Sequence, residues 1–147
     1  MSEKNVETLI RNFLDAHMKL DADGALSFFA ENAVWQTSEG VFKGKEEAKR
    51  YLTWMYKMNR QMKYKDAGIG LVVKGNKAVY EYMLEGVSYQ GMKYETPGVC
   101  TYEIDDGKIT QHRILIDRLS LAKQAAKGTI QKRVVNSLVN AMEKGLR

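Results

Sequence analysis

The chain has 147 residues, of which 44% are hydrophobic and 28% are charged, and its formal net charge is +5. These values are typical of one globular domain, which buries about two-thirds of the surface of its unfolded chain. A single cysteine excludes an internal disulfide and is typical of a reducing compartment. Charged residues interrupt the apolar N-terminal residues, and no stretch approaches the roughly 18 continuous apolar residues of a membrane span. We therefore expect a cytoplasmic protein without a membrane partner.

Basic residues are concentrated in two parts of the chain. Residues 118–147 hold seven Lys or Arg against Glu143 alone, and residues 43–65 hold eight against Glu46 and Glu47. Basic patches can mark a nucleic-acid partner. The charges here fall within predicted helices, which favours solvated helix faces. We therefore expect no nucleic-acid partner.

The N-terminal residues predict two helices. Apolar residues recur at steps of three and four over residues 4–20, which predicts an amphipathic helix. His17 lies on its apolar stripe, where a polar ring needs a hydrogen-bond partner. Asp21 is predicted to be the N-cap of a shorter helix that follows.

A short strand and a third helix come next. Residues 33–37 predict the strand, a loop containing Gly40 and Gly44 follows, and residues 45–58 predict the helix. The predicted inner side of this helix consists of Ala48, Tyr51, Leu52, Met55 and either Met58 or Trp54.

From Tyr64 onward the hydrophobic period changes to two, which predicts strands. Four are predicted, at residues 64–74, 77–89, 92–104 and 108–117. Glycines at the joints predict tight hairpins, and three successive hairpins make an antiparallel meander. Pro97 and Gly98 predict a bulge or bend in the third long strand. A bend of this kind curls a sheet and leaves a cavity on its concave face.

The C-terminal residues predict two more helices. Asp117 begins a segment that Gly128 can end, and a final helix spans residues 129–144. We expect a domain at residues 1–122 and a helical extension at residues 123–147 that packs on the domain or on a dimer partner. The last helix carries an apolar stripe that could serve as a lid or as a dimer contact.

The order of these elements, together with the segments DADGALSFFAENAVW and DGKITQHRILID, resembles the nuclear transport factor 2-like superfamily. Its SnoaL-like and ketosteroid isomerase-like branch is the most similar. The resemblance covers residues 4–124 and implies an α+β fold, in which a cone-shaped, bent antiparallel sheet wraps around the N-terminal helices. This cystatin-like α+β barrel would carry an extra C-terminal helix. We expect a homodimer formed through the sheet.

The catalytic groups of ketosteroid isomerase-type members do not carry over to this chain. Phe13 stands where those members have a tyrosine, and their base aspartate falls at or beside Thr37. Their protonated aspartate falls near Val99 or Cys100. A shared fold alone does not establish an activity, so the resemblance implies the fold and leaves the reaction open.

The Asp–Arg–Asp set of limonene epoxide hydrolase-like members is also missing. Ile114 matches its last-strand aspartate, and the other two positions fall near Tyr82 and Leu84. In this superfamily alternate side chains of the last strand face the cavity, and here they are His112, Ile114 and Ile116.

His112 is therefore our main candidate for a general acid or base, because imidazole titrates near neutral pH. His17 approaches the same cavity from the first helix. Either ring can instead be a buried histidine with a structural hydrogen bond. Asp117 has two interpretations: SnoaL-type cyclases place a base aspartate in this region, whereas helix capping explains it structurally.

Aromatic side chains indicate a cavity for a flat or apolar ligand. On residues 77–89, Tyr80, Tyr82 and Leu84 share one face and the glutamates share the other, and apolarity favours the tyrosine face as the inner one. Cys100 is expected to be a small buried hydrophobe. The remaining candidate lining residues are Phe13, Trp35, Thr37, Tyr51, Trp54, Ile114 and Ile116.

The sequence thus predicts a protein that binds a small, largely apolar or aromatic molecule in a cone-shaped cavity. Acid/base turnover of the isomerase, dehydratase, cyclase or epoxide hydrolase type would depend on His112. No cofactor or metal is expected, because two histidines and one cysteine lack the usual ligand spacing. The alternative is a non-catalytic dimerisation or protein-binding module whose cavity is filled by side chains.

Overall fold

The computed structural model describes residues 1–145, and the chain divides into two compact units, Met1–Ile116 and a second unit that begins at Asp117. The first unit contains α1 (Glu3–Met18), α2 (Ala22–Leu26), β1 (Phe29–Thr37), β2 (Gly40–Lys43), α3 (Gly44–Lys57), β3 (Asn59–Lys74), β4 (Lys77–Ser88), β5 (Lys93–Asp105) and β6 (Lys108–Ile116). The second unit contains α4 (Arg118–Ala125) and α5 (Thr129–Met142). No helix among residues 1–145 combines the length and apolarity needed to cross a membrane.

Side-chain caps begin the first two helices. The Ser2 hydroxyl accepts a hydrogen bond from the backbone N–H of Asn5 at 3.3 Å, and the Asp21 carboxylate accepts one from Gly24 at 2.9 Å. The predicted cap at Asp21 is confirmed. The amphipathic pattern of α1 is confirmed as well, because its apolar stripe is buried and includes His17, which is 2% exposed.

The strands form one curled, unclosed sheet in the order β2-β1-β6-β5-β4-β3. The predicted antiparallel meander is confirmed for β3 to β6. Two features differ from the prediction. β1 begins at Phe29 and pairs with β6 in parallel, and the predicted loop around Gly40 contains the edge strand β2. A parallel neighbour joins segments far apart in the chain, so hairpin signals alone could not reveal it.

The main irregularity of the sheet lies in β3. Its register with β4 shifts between Asp66 and Leu71, where Gly68 and Gly70 have φ values of +51° and +62°. The left-handed region is open to glycine at little cost. Of the bulge or bend expected at Pro97, the bulge is absent, because β4 and β5 pair without a register shift there; the bend stays a prediction. Pro97 lies one residue beyond the last pair of β5 with β6, so its missing N–H removes no bond to β6.

The second unit has a confirmed cap and an exposed apolar stripe. The Asp117 carboxylate accepts a hydrogen bond from the backbone N–H of Ser120 at 2.9 Å and begins α4. Along α5, Ile130, Val134, Leu138 and Met142 are between 54% and 78% exposed.

Candidate functional site

Aromatic rings from four elements meet on the concave face of the sheet. His112 of β6 stacks on Tyr102 of β5, with ring centroids 4.5 Å apart, and Trp35 of β1 meets the imidazole edge-to-face at 4.7 Å. Phe13 of α1 and Phe29 of β1 are 5.5 and 6.0 Å from the same imidazole. We refer to these five residues as the ring cluster. Each member is at most 1% exposed.

Strand register explains why three of these rings lie side by side. Trp35 is the Cα partner of His112 across the parallel pair, and Tyr102 is its partner across the antiparallel pair. Side chains at paired positions project from the same face of a sheet. The predicted inward position of His112 is therefore confirmed, and the parallel β1–β6 pairing brings Trp35 beside it.

Three polar atoms of the ring cluster are buried without a hydrogen bond among the described residues. They are Trp35 Nε1, Tyr102 OH and His112 Nδ1. The Tyr102 hydroxyl interacts with the Cys100 thiol, a weak hydrogen-bonding group, but without the geometry of a hydrogen bond. Most buried polar atoms in folded proteins have a partner, so three exceptions around one imidazole call for a physical explanation.

Burial keeps both histidines neutral at physiological pH. The pKa of His112 is lowered from 6.5 to about 3, mainly by desolvation and also by the nearby His17, although an interaction with the Thr101 backbone raises it. Desolvation likewise lowers the pKa of His17 from 6.5 to about 3. A neutral imidazole has one nitrogen that donates and one that accepts a hydrogen bond.

His17 has a partner that the sequence did not reveal. Its Nδ1 lies 2.6 Å from the hydroxyl of Tyr56, and the contact is buried. Desolvation raises the pKa of Tyr56 above its usual value, so this pair is neutral. Tyr56 continues the buried α3 series of Ala48 and Leu52 at a spacing of four. This helical repeat could have identified it.

The tyrosine face of β4 points inward, as predicted. Tyr80, Tyr82 and Leu84 are between 1% and 6% exposed. The Tyr82 hydroxyl lies 3.6 Å from Cys100 Sγ, and desolvation raises the Tyr82 pKa. Desolvation also raises the pKa of the Cys100 thiol, to about 12, so the thiol is not an activated nucleophile. Glu81 lies outside the core and accepts a bond from the Ile69 N–H.

The other predicted lining residues differ in how deeply they are buried. Tyr51 is 7% exposed and contacts Trp35 at 6.0 Å, whereas Thr37, Ile114 and Ile116 are half-buried. Trp54 is 50% exposed and Met58 is 41% exposed. Placing either on the inner side of α3 was therefore wrong. The buried stripe of this helix runs through Tyr56, two positions away from both Trp54 and Met58.

Asp117 belongs to the second unit, where its exposed carboxylate caps α4. The structural interpretation of Asp117 is thus confirmed, and its catalytic interpretation stays a prediction. Within residues 1–145, no group of three or more His, Cys, Asp or Glu side chains could hold a metal ion.

Comparison with known proteins identifies similar domains. A family model described as "SnoaL-like domain" matches residues 10–112. No curated protein matches the chain. Among solved structures, an NTF2-like protein from Burkholderia xenovorans is 22% identical, covers 84% of this chain and 98% of its own, and has a TM-score of 0.71.

Two further solved structures share the fold. A putative polyketide cyclase from Xanthomonas campestris is 21% identical, with a TM-score of 0.73 over 83% of this chain and 97% of its own. A protein from Catenulispora acidiphila with a ketosteroid isomerase-like fold, in complex with trimethylamine, is 12% identical. Its TM-score is 0.72 over 80% of this chain and 91% of its own.

Proposed function

The chain belongs to the SnoaL-like domain family, and we propose that it binds a small, largely apolar molecule against the concave face of its sheet. The ring cluster and the inward face of β4 supply the apolar walls. One observation carries the proposal, namely the three unpartnered polar atoms of Trp35, Tyr102 and His112. A ligand with a carbonyl or hydroxyl group would satisfy them, and leaving them unpaired costs about 1–3 kcal/mol each.

The chemistry available at His112 is that of a neutral imidazole. Its Nδ1 accepts or donates a hydrogen bond according to the tautomer. An imidazolium here would be desolvated, so proton uptake by His112 is favourable only when a negative charge develops on the ligand beside it. Acid/base turnover of the isomerase, dehydratase, cyclase or epoxide hydrolase type is thus limited to substrates that can form such an anion.

Solved neighbours support a small-molecule role. The Catenulispora acidiphila protein holds trimethylamine, and the Xanthomonas campestris protein is named as a putative polyketide cyclase. Both are far below the identity at which an activity transfers between proteins, so the ligand of this chain has to be found directly.

The test is a thermal-shift screen of uncharged, flat, apolar compounds, followed by binding measurements on variants. We expect the compounds that raise Tm to lose at least about fivefold in affinity for His112→Gln, which removes one charge-neutral hydrogen bond. Met58→Ala should leave their affinity unchanged, because the exposed Met58 lies outside the ring cluster. Equal losses for both variants, or a screen without any stabilising compound, would contradict the proposal.

A second function has its own support. The rings around His112 pack at centroid distances of 4.5 to 6.0 Å, which is the spacing of ordinary aromatic packing. A non-catalytic module with an interior filled by side chains would show this arrangement. It predicts that His112→Phe is tolerated with unchanged partner binding, whereas the ligand-binding function predicts loss of the ligand.

We propose that the partner of this chain is a second copy of itself, and that the homodimer forms through the sheet. The convex face carries four apolar side chains that are between 36% and 71% exposed, namely Val72, Val79, Val99 and Leu115. Register places them together, because Val72 pairs with Val79 and Val99 pairs with Leu115. These apolar side chains lie on four neighbouring strands, with Glu81 and Arg113 on the same face, and a second copy of the chain could cover them. The α5 stripe is the other surface that we expect to be covered, by the domain or by the partner.

A further inference from the structure

A pocket of about 340 Å³ lies at the surface between β2 and α3. Its lining residues are Glu39, Phe42, Arg50, Tyr51 and Trp54. We call it the β2–α3 pocket. It shares Tyr51 with the surroundings of the ring cluster, but its Trp54 wall is half exposed. Its volume falls in the range of small-molecule sites, about 300–1,000 Å³.

Three aromatic rings form the walls. Phe42 and Tyr51 are stacked with centroids 4.6 Å apart and an interplanar angle of 28°. Trp54 lies 5.9 Å from Tyr51 at an angle of 37°. A planar aromatic group can stack on rings in this arrangement and would bury the exposed half of Trp54.

The charged residues that line the pocket indicate which polar group its ligand would carry. Among the described residues, Arg50 makes no hydrogen bond or ion pair. The Glu39 carboxylate, in contrast, accepts bonds from the Ser38 hydroxyl at 3.3 Å and the Tyr51 hydroxyl at 3.4 Å. The pocket therefore offers a free guanidinium and an engaged carboxylate. The planar guanidinium fork matches a carboxylate in a bidentate pair.

We propose that the β2–α3 pocket binds a small aromatic carboxylate, with its ring on Tyr51 and Trp54 and its carboxylate on Arg50. A two-ring acid matches the volume and the wall geometry. The site is separate from the concave face and does not depend on the function proposed above.

Calorimetric titration of the full chain with 2-naphthoate tests the site, with 2-naphthamide as the uncharged analogue of the same shape. We expect one saturable site for naphthoate and at least about fivefold weaker binding of the amide, because hydrogen bonds between charged groups are the stronger ones. Arg50→Gln should reduce the naphthoate affinity to that of the amide. Trp54→Ala should weaken both compounds at least about fivefold through the lost stacking.

Lys57→Gln is the matched control, since it removes the same charge from the exposed surface of the same helix outside the pocket. Its naphthoate affinity should stay within about twofold of the wild type at moderate salt. An equal loss for Lys57→Gln and Arg50→Gln would overturn the proposal, as would the absence of saturable binding. Binding that His112→Gln removes and Arg50→Gln leaves intact would also overturn it, because the acid would then occupy the concave face.

Discussion

The two buried histidines should make the protein sensitive to mild acid. In the folded protein their pKa values are about 3, whereas in the unfolded chain they return to 6.5. Between these values the unfolded chain binds protons that the folded protein does not, so the free energy of unfolding falls as the pH decreases. Above pH 6.5 both states are neutral and the histidines contribute no pH dependence.

The magnitude follows from the width of that interval. Each unit of pH below the unfolded pKa costs about 1.4 kcal/mol per histidine. At pH 4.5 the loss is roughly 3 kcal/mol for His17 or His112 alone and about 5–6 kcal/mol for both. Domains of this kind have a total stability of about 5–15 kcal/mol. A large part of the stability would thus be lost before most carboxylates are protonated.

Asp66 has a lowered carboxyl pKa, which acts in a different interval of pH. The Arg11 guanidinium hydrogen-bonds to Asp66 and holds its pKa below the usual 3.8. A lowered carboxyl pKa stabilises the fold at higher pH, and this contribution is lost only as the pH falls below that usual value. The Asp66 contribution therefore stays nearly constant between pH 6.5 and 4.5 and does not affect the slope that is measured there.

Urea denaturation followed by circular dichroism at pH 7.5, 6.5, 5.5 and 4.5 measures the slope of stability against pH. His17→Gln and His112→Gln should each remove about half of the slope below pH 6.5, and the double variant should be nearly flat. The slope is informative even if the variants are less stable at neutral pH. A double variant with the wild-type slope would refute the reasoning, as would an NMR titration that finds both folded pKa values near 6.5.

Two further predictions concern the sheet. A Cβ at Gly98 would meet Cζ of its cross-strand partner Tyr82 at 2.5 Å, so Gly98→Ala should cost about 1–3 kcal/mol in urea denaturation. In contrast, Gly128→Ala, whose Cβ has only ordinary contacts, should cost less than about 1 kcal/mol, and equal losses would contradict the account. Leu115→Glu places a charge in the proposed dimer face, where Leu115 is 71% exposed. Light scattering should then report a monomer with unchanged circular dichroism, and a dimeric variant would remove this face from consideration.

Local sequence signals predicted most of the elements. The period-two pattern and the hairpin glycines gave the meander, and short-range hydrogen-bonding chemistry gave the caps at Asp21 and Asp117. β1 and β2 were harder to predict. The extent of β1 depends on its pairing with a distant segment, and β2 is only four residues long. Trp54 was misplaced for a related reason: a helical stripe on α3 can be drawn through position 54 or position 56, and only packing decides between them.

The candidate site could be predicted residue by residue but not as a cluster. The resemblance to the superfamily placed His112 on the inner face of the last strand, and apolarity chose the tyrosine face of β4. That Trp35 and Tyr102 lie beside His112 depends on strand order and register, which one sequence does not state. The unpartnered polar atoms depend on hydrogen-bond geometry and became visible only in the folded structure.

The parallel pairing of β1 with β6 also orders the events of synthesis. Trp35 cannot meet its partner His112 until the ribosome has made nearly eighty further residues. Until then β1 lacks its parallel neighbour, and β5 presents an open edge, a surface that favours association with other chains. Contacts of such long range also slow folding. The concave face should therefore assemble last, and a chain that ends before Lys108 should fail to form the ring cluster.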